Sequence, residues 1–340
     1  MRAMLRVFTD RRCLEHLAPR GYPERPDRLS NLLDFLAARG FPIEEGGGDP
    51  LASASSASAA SAASAASAAT WAAITAVHDP GYVERFERAV ARGDSLLDSA
   101  DNPLSDGTFT AALAAVGATL RAADHAVATG PAFAAVRPPG HHAERALAMG
   151  FCFFNNVAVA AEHLRRQGLS RVAIFDYDVH HGNGTQHLFE SRADVFYAST
   201  HQFPFYPGTG AASETGTGPG AGFTLNVPLP AGTGDAGYAA AIEAEILPGL
   251  RQFAPDVLLV SAGFDAWQAD PLGGMAVTEA GFRRWGVELR ALAEEVCGGR
   301  LLAVLEGGYD LLSLPRLVEA GLAGLAGEAG LAGEGSAGKD

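Results

Sequence analysis

The chain reads as one large α/β domain with a mostly parallel central sheet, helices on both faces and long loops at one rim. Three observations predict this. From Trp71 onward, helix-like stretches alternate with short apolar, strand-like runs, as expected of βαβ units. Four of those runs, Ala132–Val136, Val172–Phe175, Val257–Val260 and Leu301–Leu305, each stop at a cluster of metal-binding or proton-moving side chains. The 340 residues, 48% of them hydrophobic, can bury a large core without demanding two domains.

In order along the chain, Leu29–Arg39 has helical apolar spacing through Leu29, Leu32, Leu33 and Leu36, with Gly40 as a stop. Glu44–Asp49 is acidic and Gly-rich, and Leu51–Ala69 is almost entirely Ala and Ser, with no large side chain to anchor it. Residues 44–70 are therefore expected to be a mobile surface insertion without chemistry. Thr110–Thr129, Val157–Gln167 (ended by Gly168) and Thr278–Val296 are helix candidates. Pro204–Gly234 is crowded with Gly, Pro and Thr and reads as long loops around a short strand at Phe223–Val227. Long loops in a compact domain are usually functional or disordered. Residues 1–325 form the expected catalytic domain, and 326–340, rich in Gly, Ala and Glu, a flexible tail.

A formal charge of −14 argues against nucleic acid as a partner and mildly favours cationic substrates. Cys13, Cys152 and Cys297 show no paired spacing, which fits a reducing compartment and gives no cysteine-based zinc site. The N-terminus is too short in its apolar part for a secretory signal, and no apolar run reaches the length of a membrane span. A cytoplasmic location without membrane contact is expected.

In an open parallel sheet, ligands sit outside the carboxyl ends of the strands. The four runs would therefore bring Arg137-Pro-Pro-Gly-His141-His142, Asp176-Tyr-Asp178-Val-His180-His181, Ser261-Ala-Gly-Phe-Asp265 and Glu306-Gly-Gly-Tyr309-Asp310 to one rim. Asp176, Asp178 and His180 have period two, so in extended backbone they point into one space. Carboxylate oxygen mixed with imidazole nitrogen suits zinc, and catalytic zinc keeps three protein ligands plus an open position. Asp265 is a third ligand candidate beside Asp178 and His180, which leaves Asp176 for another task. Alone, such a triplet is as readily a solvated or capping cluster, a histidine pair is more often held by packing, and Tyr309 or Phe151 could be core. Their joint occurrence at four strand ends favours a site.

These motifs, with Gly150-Phe-Cys-Phe-Phe-Asn-Asn156, Asp176-Tyr-Asp-Val-His-His-Gly-Asn-Gly184 and Tyr206-Pro-Gly-Thr-Gly210, closely resemble the zinc-dependent histone deacetylase family from about Pro23 to Ala320, apart from the insertion. Glu306 before Gly-Gly-Tyr, and Asn183 where the class I branch carries Asp, look like class II and its bacterial relatives, including acetylpolyamine amidohydrolases and acetoin-utilisation proteins. The resemblance implies the fold shared by arginases and deacetylases. It also implies one zinc ion on Asp178, His180 and Asp265, with His142 as general base and then acid, and His141 as electrostatic support. Asp176 would orient His141 and Asn183 would orient His142. An amide holds an imidazolium less strongly than a carboxylate does, so His142 is expected to be less basic than its class I counterpart.

Tyr309 would donate to the oxyanion, approached through Gly307 and Gly308, because glycine lets backbone come close to a ligand. Phe151, with Gly150, and Tyr206 would wall a narrow tunnel, with Leu272 near the mouth and Asp101 or a polar neighbour at the rim. Many relatives carry Phe where Tyr206 stands, which makes this wall more polar. The family also binds structural potassium. By match, Asp176 and Ser199 would supply side-chain oxygens, and Asp178, His180 and Thr200 carbonyls, to one such ion. Carbonyls near Phe189, Arg192, Val195 and Phe223 would serve a second. Oxygen-only ligation fits a hard cation.

The substrate implied is an acylated lysine side chain or an acetylated polyamine or similar alkylamine, and a homo-oligomer is compatible with the resemblance. Two rivals are a binuclear manganese ureohydrolase of the arginase type, faintly echoed by Asp265 and Asp270-Pro271, and a catalytically silent module that binds acylated amines.

Overall fold

The computed structural model describes residues 5–46 and 69–327. Most of the expected insertion, and all of the tail beyond Gly327, lie outside these residues. The insertion's expected limits are too wide, because Glu44 and Glu45 belong to a strand and residues 69 and 70 to a helix. The tail's limit shifts likewise, since Ala326 closes the last helix.

The elements run β1 (Arg6–Thr9), α1 (Asp27–Ala38), β2 (Ile43–Glu45), α2 (69–77), α3 (Pro80–Arg92), α4 (Thr108–Ala128), β3 (Ala132–Ala134) and α5 (Asn156–Arg166). They continue with β4 (Val172–Asp176), α6 (Asn183–Phe189), β5 (Val195–Gln202), β6 (Thr224–Leu229) and α7 (Asp235–Ala241). A π-turn at Ile242–Ile246 leads into α8 (Leu247–Phe253), followed by β7 (Val257–Ala262), α9 (Glu279–Cys297), β8 (Leu301–Leu305) and α10 (Leu314–Ala326). Among the described residues, no helix is long and apolar enough to cross a membrane.

Local chemistry sets many of the boundaries. Asp79 caps α3 by accepting from the Gly81 N–H at 2.8 Å, Pro80 supplies a preset first turn, and Gly93 ends the helix in the left-handed region. Asn155 caps α5 through the Ala158 N–H at 3.0 Å. The strands β4, β7 and β8 are buried along their whole length, as their continuous Val, Ile and Leu runs require of parallel strands covered on both faces.

Among the described residues, eight strands form one sheet in the order β2-β1-β3-β8-β7-β4-β5-β6, and every pairing between them is parallel. Four adjacent strands, β3, β8, β7 and β4, are those whose ends carry the polar motifs. Register aligns those ends: Ala134 pairs with Val304, Leu305 with Ala262, and Ser261 with Asp176. The loops after these strands therefore leave the sheet side by side at one rim.

Candidate active site

β4 ends at Asp176, and Tyr177–Gly182 is irregular rather than extended. The period-two argument, which assumes extended backbone, therefore does not apply beyond Asp176. What turns them inward is a succession of side-chain to backbone bonds. Asp176 Oδ1 accepts from the Asp178 N–H at 3.1 Å, and Asp178 Oδ1 from the His180 N–H at 2.9 Å. Asp265 Oδ1, from the loop after β7, accepts from the Val179 N–H at 2.9 Å, so two strand ends are tied together.

His180 Nδ1 lies 3.1 Å from Asp178 Oδ1 and 3.2 Å from Asp265 Oδ2. One atom from each of these buried residues falls within 4.8 Å of the others, and among the described residues this is the one such metal-capable group. Asp265 Oδ2 is buried and accepts no hydrogen bond, a costly state for a carboxylate unless a cation faces it. Burial disfavours charge on His180, but Asp178 and Asp265 outweigh it and raise its pKa to about 10. Burial and the Asp178 charge push Asp265 up to about 7. The donor set therefore calls for a positive charge and fits a divalent ion.

Asp176 stands apart from the triad: its Oδ2 is 3.0 Å from His141 Nδ1 and accepts from the Tyr197 hydroxyl at 3.4 Å. His142 Nδ1 lies 2.7 Å from Asn183 Oδ1, at the start of α6. The adjacent rings of His141 and His142, with centroids 4.0 Å apart, diverge in charge. Burial opposes protonation of His141, yet Asp178 and Asp176 raise it to about 10. His142 is driven well below the ordinary imidazole value by burial and by charge on His141 and His180. The two imidazoles are thus pushed in opposite directions, His141 toward its protonated form and His142 toward its neutral one.

Asp101, His142, Gly150, Phe151, His180, Phe205, Tyr206, Leu272 and Tyr309 line a cavity of about 220 Å³, narrower than the ~300–1,000 Å³ of drug-sized pockets. Phe205 stacks on His180 with centroids 5.4 Å apart, Tyr206 meets His142 edge-on at 5.2 Å, and Phe151 meets Tyr309 at 5.7 Å. Burial holds the Tyr309 phenol well above its ordinary pKa, so it remains a donor. Phe151 has φ +69°, a left-handed conformation that turns the wall residue.

Gly307 and Gly308, expected to approach the ligand, are packed against the triad's carboxylates and Arg28. The Gly307 N–H donates to Asp178 Oδ2 at 2.8 Å, and a Cβ there would collide with the carboxylates of Asp265 and Asp178. The Gly308 carbonyl accepts from Arg28 Nε at 2.6 Å.

Around the expected potassium positions, Ser199 pairs in register with Asp176, Ser199 Oγ is 2.8 Å from His201 Nδ1, and the buried Thr200 Oγ1 has no partner. The carbonyls of Phe189 and Phe223 accept from Arg192 N and Tyr197 N at 2.9 and 3.0 Å. Val195 opens β5 beside them.

Several supporting residues escaped the sequence reading. Arg28, on α1, is buried; besides Gly308 it donates to the Glu306 carbonyl at 2.6 Å, and it lies 4.7 Å over the Tyr309 ring. Asp270 Oδ2 accepts from the Tyr309 N–H at 2.7 Å, while its Oδ1 accepts from Leu272 N at 2.9 Å. Glu306 Oε2 accepts from the N–H groups of Gly140 and His141 at 2.6 and 3.1 Å, so it is part of the scaffold as well as a branch marker. The Asp-Pro-Leu run and Glu306 were visible signals, whereas nothing near Arg28 in the chain points to a partner 280 residues away.

The histone deacetylase domain profile matches residues 22–325. A probable deacetylase of Archaeoglobus fulgidus is 39% identical over 300 residues, covering 88% of this chain and 79% of the relative. Histone deacetylase 14, chloroplastic, of Arabidopsis thaliana is 44% identical over 254 residues, which is 71% of this chain but 60% of that longer protein. The crystal structure of an acetylpolyamine aminohydrolase from Burkholderia pseudomallei superposes with a TM-score of 0.81 at 33% identity, covering 95% of this chain and 98% of the other. With its single parallel sheet and the four rim motifs, the chain belongs to the histone deacetylase family.

Proposed function

We propose that the protein is a zinc-dependent amidohydrolase that removes an acyl group, foremost acetyl, from the terminal nitrogen of a lysine side chain or another alkylamine such as a polyamine. The observation that carries this reading is the convergence of Asp178, His180 and Asp265 on one point beside a narrow aromatic cavity that His142 and Tyr309 also line. These three side chains would hold the ion, which when bound polarises the amide carbonyl and acidifies water. Neutral His142 takes a proton from the attacking water and returns it to the departing amine. His141, held by Asp176, supplies electrostatic support. Tyr309 donates its O–H to the oxygen that gains charge. Phe151, Tyr206 and Leu272 grip the aliphatic stem and exclude water, and Asp101 meets polar groups at the mouth.

Potassium would be held by Asp176, Ser199 and the carbonyls of Asp178, His180 and Thr200, and a second ion by the carbonyls near Phe189, Arg192, Val195 and Phe223. The acidic chain favours a cationic carrier, and the likeness to an acetylpolyamine aminohydrolase supports an alkylamine substrate. The catalytic unit is residues 1–325, working in the cytoplasm, where its three free, buried cysteines stay reduced. The test is hydrolysis of a fluorogenic acetyl-lysine amide with chelator, without it, and after zinc is restored, followed by acetyl-lysine peptides, acetylpolyamines and longer acyl chains. Absence of metal-dependent turnover on every acylated amine would overturn the proposal, as would two bound manganese ions with release of urea from guanidino compounds.

A further inference from the structure

Asn183 joins the active-site histidine to a carboxylate that no part of the mechanism above uses. Its Oδ1 lies 2.7 Å from His142 Nδ1, and its Nδ2 donates to Glu144 Oε1 at 2.6 Å, with Met149 Sδ 3.3 Å away as a weak second acceptor. An ionised carboxylate only accepts hydrogen bonds, so the amide must turn its NH₂ toward Glu144. The amide oxygen is then left facing the imidazole, and it too only accepts. His142 Nδ1 must therefore carry the ring proton, which leaves Nε2 unprotonated and able to act as a base. With the amide reversed, NH₂ would face Nδ1 and the proton would move to Nε2, the wrong tautomer for taking a proton there.

Glu144 is itself held in place. Its N–H donates to the Leu147 carbonyl at 3.0 Å, its carbonyl lies 2.9 Å from His78 Nδ1, and the same Oε1 lies 2.8 Å from Nδ1 of the partly exposed His187. The Glu144 side chain is 19% exposed, so the bond to Asn183 is partly shielded from water.

We propose that Glu144 is a positioning residue that sets the amide orientation of Asn183 and, through it, the Nδ1–H tautomer of His142. The negative charge that a class I chain would place directly on this histidine is here placed one residue further back. This inference rests on the reading that His142 moves the proton.

The experiment combines ¹⁵N–¹H NMR of the imidazole nitrogens of full-length, metal-free protein, with His142 assigned by comparison with His142→Phe, and steady-state kinetics of the zinc-loaded protein on an acetyl-lysine peptide. The expected wild-type tautomer is Nδ1–H. Glu144→Met, which removes the acceptor, should give a mixture of tautomers and lower kcat about tenfold with KM within about twofold, the scale of one charge-assisted bond. Glu144→Gln, which can still offer an oxygen, should fall between the two. In an Asn183→Asp background the sign should reverse: the introduced carboxylate would face Glu144, and adding Glu144→Gln should raise kcat.

An Nε2–H tautomer in the wild type, an unchanged tautomer ratio in Glu144→Met, or equal losses from Glu144→Gln in both backgrounds would overturn the inference. Lack of wild-type turnover would count against the proposed activity instead, and the tautomer would still decide this point.

Discussion

Replacing Arg28 with Met tests whether α1 governs the chemistry at the other end of the chain. The guanidinium donates to the carbonyls of Gly308 and Glu306, both at 2.6 Å, lies over the Tyr309 ring, and pairs with Glu24 Oε1 at 3.3 Å. Methionine retains much of the aliphatic volume but none of the donors. Hydrogen bonds to a charged group contribute about 1.5–3 kcal/mol each, and breaking a buried ion pair from one side costs about 3–5 kcal/mol. Glu24 would keep its two-pronged partner Arg137 at 2.9 and 2.8 Å, so its charge is not orphaned. The net cost is therefore set by the two lost bonds to Gly308 and Glu306, about 3–6 kcal/mol, or a Tm lower by roughly 4–8 °C. The loop from Glu306 to Tyr309 loses its rear anchor, and misplacement of the phenol by about 1 Å should lower kcat about 10²-fold. Zinc content should stay near one per chain, because Asp178, His180 and Asp265 hang from other strand ends. Calorimetry, metal analysis and steady-state kinetics together read all three effects. An unchanged Tm with turnover within about twofold of wild type would refute the anchoring argument.

Three other outcomes follow from the same geometry. Tyr309→Phe should keep its fold and metal while losing about 10²–10³ in turnover, the range for one oxyanion donor; full activity would remove Tyr309 from the mechanism. Asp178→Ala and His180→Ala should lose bound zinc as well as turnover, measured by metal analysis after dialysis, and tight zinc retention in either would break the triad. Burial alone would raise Glu24, but Arg137 outweighs it and brings its pKa to about 2 from 4.5. That depressed value contributes about 3 kcal/mol of stability above pH ~4.5, lost as pH falls toward ~2. Glu24→Gln should accordingly flatten that part of the pH–stability curve, and an unchanged slope between those values would contradict it.

The sequence made the centre of the sheet legible because β4, β7 and β8 are uninterrupted apolar runs ending in conspicuous motifs. Its flanks were less so. The strand β5 hides in Ser199-Thr200-His201-Gln202, polar side chains that are nonetheless buried. β1 and β2 are four and three residues long, too short for periodicity to register. At the site, the triad and the histidine pair could be read because each lies within a few residues of its strand end. Arg28 and Glu144 could not, since the contacts that give them their roles are with residues 39 to 280 positions away. Gly307 shows the same limit: glycine marks close approach, and only the folded chain shows that a pair of carboxylates is what comes close.

The strand order has a consequence for biosynthesis. β8 follows both β3 and β7 along the chain, yet it is inserted between them in the sheet. Until Leu305 has been made, the nascent chain carries an open seam with two unsatisfied strand edges, the kind of exposed surface that chaperones cover. Tyr309 lies just beyond that closing strand, so a chain terminated before Leu305 lacks both a sealed sheet and the hydroxyl.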